Sequence, residues 1–246
     1  MSITTEADWK GLRAAGEVVR LTLDALEAAA QPGVATRELD AIAARVFAEH
    51  GARSAPAMVY DFPGHVLISV NDEVVHGIPG ARRLRRGDVV KLDVTVEKDG
   101  YMSDAARTVT MPGAAAGALR LRDCAQSAFG KAMEAARVGG LVRDISRAIE
   151  REVRRHGFSV VPELSGHGIG RTIHESPDVP NFYNPAQKDR LTEGLVLAVE
   201  PIIASGSGRV VTGRDGWTIR TRDGSLAAHY ENTIVITTSG PRVLTS

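Results

Sequence analysis

One cysteine stands in the 246 residues. Cys124 alone cannot close an intrachain disulfide, and it excludes a zinc site built on thiolates. Its surroundings are alanine-rich with helical spacing, which marks a small buried thiol. Net charge is also missing: 30 Lys and Arg against 30 Asp and Glu leave a formal charge of zero. No global field therefore draws the chain to nucleic acid or to an anionic membrane surface. The local run Arg82, Arg83, Leu84, Arg85, Arg86 reads as a solvated connection. No apolar run comes near the ~18 residues of a membrane span. Met1 to Lys10 is polar, without the apolar core of a secretion signal, so the expected compartment is the cytoplasm.

What is present is ordinary for a soluble enzyme: 43% hydrophobic and 24% charged residues, in a length that buries a substantial core. Thr5 with Asp8 forms a capping-box start for a first helix. Trp9, Leu12, Val19, Leu23 and Leu26 give it one apolar stripe, and Pro32-Gly33 ends it. A second helix follows Thr36, with Leu39, Ala43 and Phe47 inward and Gly51 as its stop. Strand-like segments come next, at Val66 to Val70, Val74 to His76, Val89 to Glu97 and Tyr101 to Thr110. The order then recurs. Helices are expected from about Ala115 to Arg137 and around Ile145 to Val153, then strands near Phe158, Leu195 to Ile203, Trp217 to Arg222 and Ala228 to Thr237.

Two helices followed by several strands, written twice, predict an α/β (α+β) chain of two similar halves, about 1–111 and 112–246. The halves share negligible identity, so pattern alone leaves a true pseudo-symmetry open. No linker separates them, which favours a single domain over 1–246 with one fused sheet.

The chemistry concentrates on strand ends. From Val89 to Val96 the residues alternate, so Lys91, Asp93 and Thr95 share one face. Asp99-Gly100 is a two-residue hairpin turn. Position 98 then faces 101, Asp93 faces Ala106, and Asp104 faces Thr95, with both aspartates on one side. Two such carboxylates at ~4 Å repel by about 4 kcal/mol in an effective dielectric near 20. A shared proton, a basic side chain or a cation must compensate; an exposed, solvated hairpin face is the bland alternative. His167 lies among Gly166, Gly168 and Gly170, where backbone can approach a ligand, although a histidine in a Gly-rich turn is often only a loop residue. Glu200 ends the apolar run from Leu195, and Glu231 precedes another, positions where an unpaired charge is costly. Four carboxylates with one imidazole suit Mn, Fe, Co or Zn. They would balance two divalent ions, as in a two-metal hydrolytic centre.

Here a resemblance enters. The string from Ser69 through Asn71, Asp72, Glu73 and His76 to Pro79 resembles the signature of type I methionine aminopeptidases. So do Leu92-Asp93-Val94, Gly166 to Gly170, His174-Glu175, Val199-Glu200-Pro201, Asp215-Gly216-Trp217 and His229 to Thr233, in the family's order along the whole chain. The resemblance implies a pita-bread fold, a curved and mostly antiparallel sheet around a dinuclear site. It implies metal ligation by Asp93, Asp104, His167, Glu200 and Glu231, and two divalent ions per chain drawn from Co, Mn, Fe, Zn or Ni. It implies Glu200 as general base, His76 beside the scissile bond, and His174 polarising the carbonyl or the oxyanion.

An apolar methionine pocket would be walled by Phe62, Leu67, Ile173 and Trp217, with Val59 or Tyr60 nearby. Leu67, Val59 and Ile173 depart from the cysteine, tyrosine and phenylalanine that are common in the family. The implied activity is removal of the N-terminal methionine when the second residue is small. The implied partners are nascent polypeptide N-termini, at the ribosome, with no nucleic-acid specificity and no membrane, the enzyme working as a monomer. Proline-directed peptidases resemble the chain in the same ligands and usually carry a large extra domain. A non-catalytic module of the same fold would have lost ligands that are all present here.

Overall fold

The structure is a computed structural model that describes residues 1–246. The first part of the chain forms α1 (Glu6–Ala29), α2 (Thr36–Glu49), β1 (Arg53–Ser54), α3 (Ala55–Tyr60), β2 (Leu67–Val70), β3 (Glu73–Val75), β4 (Val89–Lys98) and β5 (Tyr101–Thr110). Then come α4 (Ala116–Ala135), α5 (Val142–Arg155), β6 (Ser159–Val160), β7 (Ser165–Gly168), β8 (Glu175–Pro180), β9 (Val196–Val199) and β10 (Ile202–Ala204). The chain closes with β11 (Val210–Thr212), β12 (Ile219–Thr221), β13 (Ala227–His229), β14 (Glu231–Val235) and β15 (Arg242–Val243).

The local signals act as physics requires. Thr5 Oγ1 accepts a hydrogen bond from the Asp8 amide and the Asp8 carboxylate accepts one from the Thr5 amide, so α1 starts with a capping box. Gly51 takes φ +61 just past α2, the left-handed stop that a glycine adopts without a Cβ clash. Asp99 and Gly100 both have positive φ and fold β4 onto β5 with Asp93 opposite Ala106 and Thr95 opposite Asp104.

The large sheet has nine strands in the order β1-β4-β5-β14-β9-β7-β8, with β2 added on β4 and β15 on β14. The pairing of β5 with β14, through Glu231 opposite Ala106, joins the early strands to the late ones. Val90, Leu92, Val94 and Val96 of β4 pack with Leu12, Val19, Leu23 and Leu26 of α1 in one core. A second core gathers Leu121 and Ala128 of α4, Ile145 and Ile149 of α5, and Leu197 and Ile234 of the sheet. At ~1.5–3 kcal/mol for each fully buried aliphatic side chain, these cores fix which face of β4 is turned away from α1. That face carries Asp93 and Thr95.

Three expectations are corrected. The segment Ser165 to Gly168 is a strand, β7, rather than a turn. A Cβ on Gly166 would lie 2.4 Å from the Ala198 carbonyl oxygen, and one on Gly168 would lie 2.4 Å from that of Ser176. Glycine is needed there for close packing of strands. The expected strand Leu195 to Ile203 is two strands, because Pro201 cannot donate a ladder hydrogen bond. There the chain leaves the large sheet and enters a three-stranded one with β13 and β6. The strand expected from Ala228 likewise breaks at Tyr230 into β13 and β14. Cys124 is fully buried, as expected. Arg82 pairs with Glu73 and Arg83 donates to the Gly33 carbonyl, so the basic run is a tied-down connection whose arginines stay exposed.

Candidate active site

A cleft of about 340 Å³ opens over the large sheet. It is lined by Asp93, Asp104, His167, Glu200 and Glu231, by His76 and His174, and by Phe62, Leu67, Ile173 and Trp217. Every metal-ligand, catalytic and pocket-wall candidate named from the sequence therefore lines one space, as does Tyr60, whereas Val59 does not.

The carboxylates come from adjacent strands. Asp93 and Asp104 are diagonal neighbours across the β4–β5 hairpin, Glu231 opens β14 beside β5, and Glu200 follows β9 beside β14. Burial pushes the carboxyl groups of Asp93, Asp104, Glu200 and Glu231 above the usual carboxylate range, and each is pushed further by a neighbouring carboxylate. No Arg or Lys lines the cleft to balance them.

The imidazoles answer the charge question. His167 Nδ1 lies 2.9 Å from the Gly168 carbonyl oxygen. A carbonyl only accepts, so Nδ1 carries the proton and Nε2 presents a lone pair. That lone pair faces Oε1 of Glu200 at 3.5 Å. Burial holds the His167 imidazole down at about 4, neutral at ordinary pH. A lone pair against a carboxylate is repulsive unless a proton or a cation lies between them. His229 repeats the arrangement, with Nε2 3.3 Å from Glu231 Oε2 and 3.7 Å from Glu200 Oε2. Both of its ring nitrogens, Asp104 Oδ1 and Glu231 Oε1 are buried without a hydrogen-bond partner. Such orphaned atoms are rare in a folded interior.

Two sets of ligand atoms, Asp93 with His229 and Glu231, and Asp104 with His167 and Glu231, each fall within 4.8 Å of one another. Oxygen donors with one or two neutral imidazoles, Glu231 shared between the sets, fit divalent cations of the first transition row or zinc. The donor set and the unpaired atoms both fit the metal that the resemblance implies.

His76 is held in the left-handed region at φ +59, an unusual conformation for a residue with a side chain. Close contact enforces it. Gly77, the next residue, donates to Ser69 Oγ at 3.0 Å and accepts from the Ile68 amide at 2.9 Å. A Cβ on Gly77 would lie 2.2 Å from the Ile68 carbonyl oxygen. Burial and the His229 and His174 rings hold His76 down at about 4. The pocket wall is closely built: the rings of Phe62 and Trp217 meet edge to face at 5.2 Å, while Leu67 and Ile173 are buried beside them.

The sequence reading assigned no role to His229, Pro56, Val75 and Thr95, which also line the cleft. For His229 a signal existed, since it stands two positions before Glu231 and so shares its side in extended chain. Pro56 carried none, because α3 is a single short helix with no periodicity to detect.

Fold and site together define a metal-dependent hydrolase centred on buried carboxylates. The profile of Metallopeptidase family M24 matches residues 10–238, and the chain belongs to that family. A methionine aminopeptidase from Clostridium perfringens is 44% identical over 95% of this chain and 94% of its own length. Methionine aminopeptidase 2 from Bacillus subtilis is 40% identical over 100% of this chain and 99% of its own. The crystal structure of a methionine aminopeptidase from Thermotoga maritima superposes with a TM-score of 0.97 at 32% identity, covering 100% of both chains. The pita-bread fold expected from the resemblance is the fold observed. A prolidase from Pyrococcus horikoshii shares the fold alone, with a TM-score of 0.80 at 23% identity, and this chain covers 63% of its length. Membership in M24 brings divalent metal binding with it. No helix is long and apolar enough to cross a membrane.

Proposed function

We infer that this chain is a metal-dependent aminopeptidase that removes the N-terminal methionine from polypeptides whose second residue is small. The observation that carries this reading is one cleft that combines a charged, metal-ligating set with an apolar wall. The carboxylates and imidazoles line it together with the apolar Phe62, Leu67, Ile173 and Trp217, and Leu67 is the cross-strand neighbour of Asp93. A thioether side chain gains dispersion contacts against such a wall and needs no hydrogen bond. A methionine seated there presents its own peptide bond to the charged side.

Asp93, Asp104, His167, Glu200 and Glu231 would hold two divalent ions, with His229 beside them. Divalent ions so held supply Lewis-acid polarisation of the scissile carbonyl and acidify water. Glu200 takes the proton of the attacking water and passes it toward the leaving amine, from its place in the cleft at the end of β9. His174 donates a hydrogen bond to the oxygen on which charge develops. His76, fixed by its turn, stands beside the scissile bond. Identity of the ions among Co, Mn, Fe, Zn and Ni follows from affinity and supply rather than from this donor set.

Residues 1–246 work as one catalytic domain, because both parts of the chain contribute to the cleft and the β5–β14 pairing joins them. The candidate site is complete within one chain, which favours a monomer. Its substrates are nascent polypeptide N-termini, met in the cytoplasm near the ribosome, where initiator methionine is first accessible.

The test is a peptide series Met-Xaa-Gly with a single metal. Ala and Ser at the second position should exceed Leu, Lys and Phe by at least ~10²-fold, since forcing a bulky side chain into a packed site costs about 1–3 kcal/mol or more. Comparable rates for Met-Ala and Met-Phe would overturn the reading, and so would preference for an Xaa-Pro peptide.

A further inference from the structure

At the open end of the cleft, the hydroxyl of Tyr60 lies 2.6 Å from Nδ1 of His174. The two residues are far apart in sequence. Tyr60 ends the single-turn helix α3, whose start is fixed by Ser54: its Oγ accepts from the Ala57 amide and donates to the His65 carbonyl. Asp61 then turns the chain away at φ +56. His174 stands just before β8, with its ring edge against the ring of His167 at 4.3 Å. Tyr60 reaches across to it, their rings 5.8 Å apart and inclined by 37°. Met58, Val59 and Tyr60 are 42%, 44% and 43% exposed, a lip of large side chains from which Tyr60 lines the cleft.

We propose that Tyr60 is a positioning residue: its hydroxyl donates to Nδ1 of His174 and thereby fixes the imidazole tautomer that presents Nε2–H to the substrate oxygen. This deepens the reading given above and rests on the role of His174 in it. The direction of the bond follows from chemistry. A phenol, with pKa near 10, is a far better donor than a neutral imidazole N–H, and an unprotonated imidazole nitrogen is a better acceptor than a phenol oxygen. With Nδ1 accepting, the single proton of the neutral ring must reside on Nε2. His167 achieves the opposite presentation with a carbonyl: Nδ1–H is donated to Gly168, and Nε2 keeps a lone pair for a cation. Adjacent imidazoles thus receive opposite tautomers from opposite partners, a ligand on one side and a donor on the other.

The contact has a second consequence. The Tyr60 bond fixes both χ angles of an otherwise open side chain, so His174 is aimed before substrate arrives. Preorganised donors of this kind act on the transition state more than on ground-state binding.

The test compares the wild-type enzyme with Tyr60→Phe, which keeps the ring and removes only the hydroxyl. On a Met-Ala-Ser peptide, with either enzyme loaded with the same metal, kcat should fall by roughly tenfold, the order expected for loss of one hydrogen bond, while KM stays within about twofold. Nitrogen-15 spectra of the zinc-loaded enzyme, labelled at histidine, supply a readout independent of turnover. The His174 signals, identified by their loss in His174→Ala, should report a single Nε2–H tautomer in wild type and a mixture in Tyr60→Phe. A wild-type Nδ1–H tautomer, or an unchanged kcat in Tyr60→Phe, overturns the proposal. A change in KM alone does so too, by showing that the lip only grips the peptide. Failure of the wild-type enzyme to cleave Met-Ala-Ser would instead overturn the functional reading itself.

Discussion

Nε2 of His167 faces Oε1 of Glu200 at 3.5 Å with no proton of its own to offer. The pair is held together by the β7–β9 and β9–β14 ladders rather than by mutual attraction. Something positive must share that space in the working enzyme.

Adding metal should therefore stabilise the fold. Removing the ions with a chelator and restoring Mn²⁺ at a hundredfold excess over its dissociation constant contributes about 2.7 kcal/mol. For a chain of this size that is a rise in Tm of roughly 5–11 °C. Calorimetry before and after addition measures it. An unchanged Tm would show that the carboxylates are paired some other way.

Metal binding should also release protons. The raised carboxyl groups of Asp93, Asp104, Glu200 and Glu231 retain protons in the folded, metal-free protein at a pH where the unfolded chain has lost them. Their contribution to stability is present at acid pH and fades as pH rises through the folded values. The lowered imidazoles of His76, His167 and His229 act oppositely. Stability is lost as pH falls from 6.5 toward about 4, since only the unfolded chain takes up those protons. Cations replace the carboxyl protons, so affinity for Mn²⁺ should increase between about pH 6 and pH 8. Isothermal titration in two buffers of different ionisation enthalpy counts the protons released. A count of zero at neutral pH would contradict the assignment.

Glu200→Gln keeps the shape of the side chain and removes its charge and basicity. Loss of the general base costs about 10²–10⁴ in rate, with more lost if an ion leaves. Steady-state kinetics with metal content measured on the same sample separates the two effects. Near-normal turnover would refute the role given to Glu200.

Gly166→Ala tests the packing that carries His167. Its new Cβ would lie 2.4 Å from the Ala198 carbonyl oxygen, which is backbone and cannot swing aside. Strand β7 must move away from β9, at a cost of about 1–3 kcal/mol in stability. His167 moves with it, so metal affinity should fall along with Tm. A variant with unaltered metal affinity would show that the spacing of these strands does not set the site.

The sequence by itself determined much of the site's chemistry. Strand alternation and the Asp99-Gly100 turn decide that Asp93 and Asp104 share a side, because side-chain direction follows directly from the two-residue period of extended chain. The Thr5–Asp8 cap and the apolar stripe of α1 were equally local, and so equally legible. The tertiary structure decided what covers those residues. Alternation puts Lys91, Asp93 and Thr95 on one face but leaves a solvated face open as an alternative; the fold buries Lys91 and Thr95 and lines a cleft with Asp93 and Thr95. The glycines around His167 read as a turn, yet Gly166 and Gly168 lie in strand β7, and only the approach of β9 and β8 shows why a Cβ is excluded there. The contact of Tyr60 with His174 lay beyond any local pattern. A hydrogen bond between residues so distant in sequence depends on where α3 and β8 are placed, and each is anchored in a different core, α3 through Ala55 and β8 through Val179.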